Sequence, residues 1–259
     1  MILNDYHIHT NFCDGKNSPV EMVWAGLEKG LKKMGFTCHS YIWFDDTYCI
    51  KKDKIEDYKN EIHSLAERYR EKIEIICGVE QDYYSEESTD GYDLVIGSVH
   101  FVKKNDKYYE VDASREDFVN SVNTAYDGDF YGFCEDYFET VGNVYEKTKA
   151  HIIGHFDLVT KFNEGDCLFD TSHPRYVSAW KKAVDKLLKT PAIFEINTGA
   201  ISRGYRTEAY PSNEILEYIR QGGGKVILTS DSHNTKSLCQ SFDVYEKKAL
   251  EMGFKLSEI

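Results

Sequence analysis

Short apolar runs separated by longer amphipathic stretches recur along the whole chain. The first run closes in "DYHIHT", whose alternation predicts a strand with Tyr6 and Ile8 on one side and His7 and His9 on the other. A helix should follow in "NSPVEMVWAGLEKGLKKMG": Ser18 is placed to cap it, Pro19 fits its first position, Glu21 completes a capping box and Gly35 is the expected stop. "FTCHS" is a further short strand, after which Ile55, Tyr58, Ile62, Leu65 and Tyr69 recur at three- and four-residue spacing, as one face of a helix does. "IEIICGVE" and "LVIGSVHFV" predict two more strands, the second leading through "KKNDK" into "YYEV" as a hairpin. Helical spacing covers residues 114–126 and 130–148, followed by the strand run "HIIGHF", a helix near 172–189, "AIFEINTG", a helix near 211–221, "KVILTSDSH" and a closing helix. Seven strand-like runs alternating with helices predict an α/β fold whose mainly parallel sheet closes into a barrel. A single domain over residues 1–259 is expected, because such barrels commonly take about 250 residues.

Composition narrows the function more than the fold. A net charge of −13 opposes binding to a nucleic-acid backbone, where clustered Lys and Arg supply most of the affinity, and favours a small ligand. No apolar run approaches the roughly 20 residues of a membrane span, and the N-terminus lacks a basic-then-apolar leader pattern, so a cytoplasmic protein with no membrane partner is expected. The seven cysteines are scattered and never spaced CxxC, which argues against a disulfide framework or a zinc ribbon and for reduced thiols.

In parallel barrels the chemistry sits on the loops at the carboxyl ends of the strands. Metal-competent residues fall there repeatedly: His7 and His9 after the first run, His39 after the second, Glu80 closing "ICGVE", His100 closing "GSVH", His155 in "IIGHF", and Asp231 with His233 in "LTSDSH". Asp14 in "FCDG" lies just beyond the first run. Scattered histidines would not favour one end of six strands, and carboxylates that follow apolar runs are costly to bury unless paired or bound to a cation. Six imidazoles and three carboxylates exceed the needs of one tetrahedral ion and suit three divalent ions of the zinc, iron or manganese kind. Such a site keeps positive charge for an anion, and a phosphate monoester fits. His63, His151 and His173 lie in contexts that point to structural roles.

The ordered set "HIHT…FCDG", "FTCHS", "GVEQDY", "SVHF", "GHFDLVTKF", "EINTGAISRGY" and "TSDSH" resembles the polymerase and histidinol phosphatase (PHP) family, in particular its monofunctional histidinol-phosphate phosphatases. The resemblance covers nearly the whole chain and implies a distorted (β/α)7 barrel, TIM-barrel-like, with a trinuclear metal site. Carried over by motif, it implies one metal on His7, His9, Glu80 and Asp231, a second bridged by Glu80 and held by His100 and His155, and a third on Asp14, His39 and His233. Many relatives carry an acidic residue before the equivalent of His39, where this chain has Cys38.

Phosphate recognition is expected from "GAISRGYR", where Arg203 matches the family's phosphate-binding arginine, with Arg206 and Lys161 as further candidates, since guanidinium can grip two phosphate oxygens at once. The resemblance implies hydrolysis of L-histidinol phosphate by a hydroxide bridging two metals, with Arg203 stabilising the transferring group and Asp231 or His233 passing a proton to the departing alkoxide. Asp82, Asp157 and Glu195 are the acids expected to meet the substrate's ammonium or imidazole at the rim. The other readings are a phosphotyrosine phosphatase or a 3′ to 5′ exonuclease of the same family, and a non-catalytic metal-binding module; a monomer or homodimer is expected.

Overall fold

The computed structural model describes residues 3–259, in the order β1 (Asn4–Ile8), α1 (Pro19–Glu28), β2 (Lys33–Phe36), α2 (Ile55–Tyr69), β3 (Glu74–Asp82), β4 (Leu94–Ser98), β5 (Phe101–Lys104), β6 (Lys107–Glu110), α3 (Arg115–Tyr126), α4 (Phe130–Thr148), β7 (Ile152–Ile153), α5 (Pro174–Leu187), β8 (Ile193–Asn197), α6 (Gly199–Ser202), α7 (Asn213–Gln221), β9 (Val226–Thr229) and α8 (Phe242–Glu251). Seven strands pair in parallel in the order β1-β2-β3-β4-β7-β8-β9. Just beyond the strand ends, Ile8 bridges Ser232: His9 N donates to Ser232 O at 2.8 Å and Ser232 N to His7 O at 3.0 Å. These bonds bring the first and last strands together and nearly close the barrel, as the alternation of runs and helices predicts. The β5–β6 pair is the expected hairpin, turning at Asn105 and Asp106, both with positive φ.

One hydrophobic cluster fills the floor of the barrel, drawing Tyr6, Ile76, Leu94, Ile96, Ile152 and Ile227 from five different strands. The outer layers bury the helix faces: Ile8, Met22, Val23, Tyr58, Ile62 and Leu65 pack beneath α1 and α2, and a larger cluster lies beneath α3 to α5, α7 and α8. Tyr6 and Ile8 therefore do not share a layer, contrary to simple alternation. A register irregularity between Asp5 and Ile8 shifts the parity of the strand, so Tyr6 plugs the floor while His7 and His9 point into the mouth above it.

The first helix also ends sooner than its spacing suggests. It stops at Glu28, and Gly30 reverses the chain at φ +79°. Gly35 belongs to β2 instead, where a β-carbon would sit 2.9 Å from Tyr6 O and from Leu94 Cδ2, so only glycine allows β1 and β2 to approach.

Candidate metal centre

All nine residues singled out by motif converge at one end of the barrel. His7 Nε2 lies 3.3 Å from Glu80 Oε2, and His9 Nε2 lies 3.5 Å from the same oxygen and 3.3 Å from Asp231 Oδ1. On the other side of Glu80, Oε1 faces His155 Nε2 at 2.9 Å and His100 Nε2 at 3.5 Å. Asp14 reaches His39 Nε2 at 3.7 Å and His233 Nε2 at 3.2 Å. Donor atoms lie within 4.8 Å of one another in three groups: His7, His9 and Glu80; His39, Glu80 and His100; and His9, Asp14, His39 and His233. Glu80 joins the first two groups, His39 the second and third, and His9 the first and third.

Several polar atoms facing this centre are left without hydrogen-bond partners. His7 Nε2, His9 Nε2, His39 Nδ1 and Glu80 Oε2 are buried and unpartnered by hydrogen bonds, although such groups normally find one. The set mixes imidazole nitrogen and carboxylate oxygen, the donors that zinc, iron and manganese accept. Charge is balanced poorly by the side chains alone. Burial opposes ionisation of His7, yet Glu195, then Glu80 and Asp231, hold it well above its ordinary value. Burial likewise opposes the rise of His39, which Glu80 and Asp14 push up to about 9. His9 goes the other way, driven well down by burial and by the neighbouring His233 and His39. Despite its burial Glu80 stays well below the usual carboxylate range, held by His39, His7 and His100. Cations in the centre would serve all four carboxylate and imidazole groups at once.

A second tier of acids holds the imidazoles. Glu195 accepts from His7 Nδ1 and Thr229 Oγ1 on Oε1, both at 2.6 Å, and from His155 N at 2.7 Å and Asn197 Nδ2 at 2.9 Å on Oε2. Asp82 Oδ2 meets His100 Nδ1 at 3.1 Å and His100 N at 3.0 Å. These contacts turn Nε2 of His7 and of His100 toward the centre, the arrangement in which a carboxylate fixes the tautomer of a ligating histidine. Glu195, Asp82 and Asp157 are therefore not rim acids. All three are buried, and Asp157 accepts from Ser212 N at 3.0 Å outside the cavity of the centre. The backbone position of Glu195 hinted at this: it alternates with Phe194 and Ile196 in a strand buried from Phe194 to Asn197. Asp5, unremarked in the sequence, is buried as well and accepts from Ser230 N at 3.1 Å, tying β1 to the loop that carries Asp231.

Local backbone places the remaining groups. Asp231 sits at φ +48°, a conformation rarely adopted by a residue with a β-carbon, and Gly199 lies so close that a β-carbon there would be 2.8 Å from Asp231 Oδ2 and 2.9 Å from an Arg203 terminal nitrogen. Cys38 does not support His39. Its thiol instead meets Thr10 Oγ1 at 3.2 Å, while Tyr48 packs edge-on against the His39 ring at 4.9 Å. His151 Nδ1 accepts from Val95 N, His173 caps α5 and His63 is exposed, so these three stay apart from the centre.

A cavity of about 350 Å³ opens over the centre, a size suited to a small ligand. Arg203 lines it, donating to Asp231 Oδ2 at 2.9 Å and to Asp231 O at 3.2 Å. Lys161 also lines it but is engaged by Asp112, at 2.7 Å to O and 3.1 Å to Oδ2. Arg206 does not: it turns to Thr160 and Glu164 and lines a separate groove with Asp157.

A nearly closed parallel barrel carrying shared imidazole and carboxylate donors at its mouth defines the architecture of a multinuclear metal-dependent hydrolase. The PHP domain profile matches residues 5–199, and the chain belongs to the PHP domain family. It is similar to a Schizosaccharomyces pombe protein named as a probable histidinol-phosphatase, 27% identical over 255 residues, which span 88% of this chain and 79% of that protein. It is also 25% identical over 269 residues to the histidinol-phosphatase of Bacillus subtilis, spanning 95% of this chain and 98% of the relative. Among solved structures, the histidinol phosphate phosphatase of Lactococcus lactis, complexed with zinc, L-histidinol and phosphate, superposes with a TM-score of 0.74 at 22% identity, covering 98% of this chain and 94% of its own. A Listeria monocytogenes protein crystallised as a candidate histidinol phosphatase reaches 0.83 at 21% identity, covering 93% and 99%. Among the described residues, no helix is long and apolar enough to cross a membrane.

Proposed function

We propose that this chain is a metal-dependent phosphomonoesterase that hydrolyses L-histidinol phosphate to L-histidinol and inorganic phosphate. The observation that carries this reading is the convergence of buried, unpartnered imidazole and carboxylate atoms at the foot of a cavity whose wall presents Arg203. Relatives named histidinol-phosphatase and probable histidinol-phosphatase, matched over 98% and 79% of their length, support the choice of substrate.

In this reading His7, His9, Glu80 and Asp231 would hold one divalent ion, Glu80, His100 and His155 a second, and Asp14, His39 and His233 a third. Bound ions of this kind polarise phosphoryl oxygens and make water nucleophilic at neutral pH. The chain's own residues do the rest. Glu195 and Asp82 keep His7 and His100 in the tautomer that presents Nε2. Arg203, anchored by Asp231, offers the remaining guanidinium donors to the phosphoryl oxygens as negative charge grows on them. Burial notwithstanding, Arg203 and His7 hold the Asp231 carboxyl well below its usual range, so it stays ionised, as a ligand must.

The test is phosphate release by the purified, metal-supplied protein from L-histidinol phosphate, phosphotyrosine and p-nitrophenyl phosphate. A clear preference for L-histidinol phosphate is expected. Comparable turnover on all three would defeat the assignment.

A further inference from the structure

The cavity has two chemically different ends. Its foot gathers the metal-competent residues and Arg203, which seek an anion. Its outer wall is acidic, built where β6 leaves the hairpin: Glu110 pairs with Phe101 across the hairpin, and Val111 N donates to His100 O at 2.9 Å. That bond holds the segment beside a residue of the centre, and both Glu110 and Asp112 line the cavity.

The two acids are compensated differently. Asp112 is matched by Lys161 at 3.1 Å. Glu110 instead lies beside Asp45, a second acid, from the loop after β2. Burial first, then Asp45, Asp112 and Asp117 push the Glu110 carboxyl up to about 7. An acid pair of this kind is relieved by an incoming cation. A second observation is independent of the acids. Tyr48 lines the same cavity, and its hydroxyl is buried with no hydrogen-bond partner, a state that a ligand donor would end.

We propose that Glu110, Asp112 and the Tyr48 hydroxyl form the subsite that receives the cationic end of the substrate's departing alcohol, while its phosphate faces Arg203 and the nine residues at the foot. The proposal rests on the phosphatase reading and adds the source of its specificity. Glu110 and Asp112 make no contact with the reacting phosphoryl group, so they select substrate through binding. Tyr48 supplies an oxygen that accepts an N–H from the ammonium or imidazolium.

The experiment compares steady-state kinetics of the parent, Glu110→Gln and Asp112→Asn on L-histidinol phosphate, phosphoethanolamine and p-nitrophenyl phosphate. The first two carry a cation and the third does not. The glutamine is isosteric, and Lys161 retains its bond to Asp112 O in the asparagine variant. Each variant is expected to raise KM for the preferred cationic ester by about tenfold or more, the usual loss for a hydrogen bond to a charged group, with kcat little changed. Turnover of p-nitrophenyl phosphate, unchanged, reports that the variants are folded and metal-loaded. If the parent favours a cationic ester and both variants keep that preference, or lose all three substrates alike, the subsite is refuted while the phosphatase reading stands. If the parent prefers phosphoethanolamine and the variants erase the preference, histidinol phosphate is the wrong substrate and the subsite stands. A parent with no preference for either cationic ester refutes both.

Discussion

Replacing Glu195 by glutamine isolates the role of the acids behind the imidazoles, because the change removes a charge and keeps the shape. The carboxylate accepts four hydrogen bonds, two on each oxygen. An amide offers only one accepting atom. If its oxygen keeps the place of Oε1, its nitrogen confronts the His155 N–H and the Asn197 amide, and two buried donors lose their acceptor. Each such loss costs about 1–3 kcal/mol, so a destabilisation of about 2–6 kcal/mol is expected, several degrees or more in Tm for a chain of this size. If the amide flips, its nitrogen donates to His7 Nδ1, and His7 must carry its proton on Nε2, the atom that faces the centre. The flipped amide removes the acceptor that orients His7 and weakens metal binding by about 10- to 100-fold, or about 1.4–2.7 kcal/mol; the unflipped one keeps that acceptor and acts mainly on stability. The assay is competition with a chelator of known affinity followed by metal analysis, alongside thermal melting with and without metal. A Glu195→Gln protein with parental metal affinity and a Tm within about 1 °C of the parent would refute the reasoning.

Other expectations follow from the same geometry. Arg203→Ala should lower kcat/KM by about 10²- to 10³-fold, as loss of a charge-stabilising donor does, whereas Arg206→Ala should leave it near the parent value because Arg206 faces a separate groove; equal losses in steady-state assays would contradict the placement. The metal-free protein should lose stability as pH rises from about 6.5 through about 9: His39 is held above its ordinary 6.5 in the folded chain, so its contribution is full below 6.5 and disappears as it deprotonates. Metal binding needs the neutral imidazole and should gain over the same window. The difference in Tm with and without a chelator should therefore widen from pH 6.5 to 9, and a constant or shrinking difference would speak against imidazole ligation.

Much of the site was legible because two signals coincided. Strand-like apolar runs marked where barrel strands end, and metal-competent residues stood at those ends, so His100 and His155 could be grouped although 55 residues apart. What escaped was whatever depends on three-dimensional parity or on neighbours distant in sequence. The irregularity in β1 put Tyr6 into the barrel floor, although alternation had paired it with Ile8. Glu195 and Asp82 looked like free acids beside a ligand pocket, whereas their partners His7 and His100 come from other strands. Arg203 and Arg206 share one loop and differ only in which side of it they leave, which spacing does not encode. Spacing also could not say where the Cys38 thiol, the departure before His39, would turn; it meets Thr10 Oγ1.

Glu80 and its eight neighbours are proposed to hold several cations at the barrel mouth. Anomalous scattering from crystals of the metal-loaded protein tests it directly, at the absorption edges of zinc, iron and manganese. Three peaks are predicted, one beside His7 and His9, one beside His100 and His155, and one between Asp14 and His233. A map with a single peak, or with peaks away from Glu80, would contradict the account.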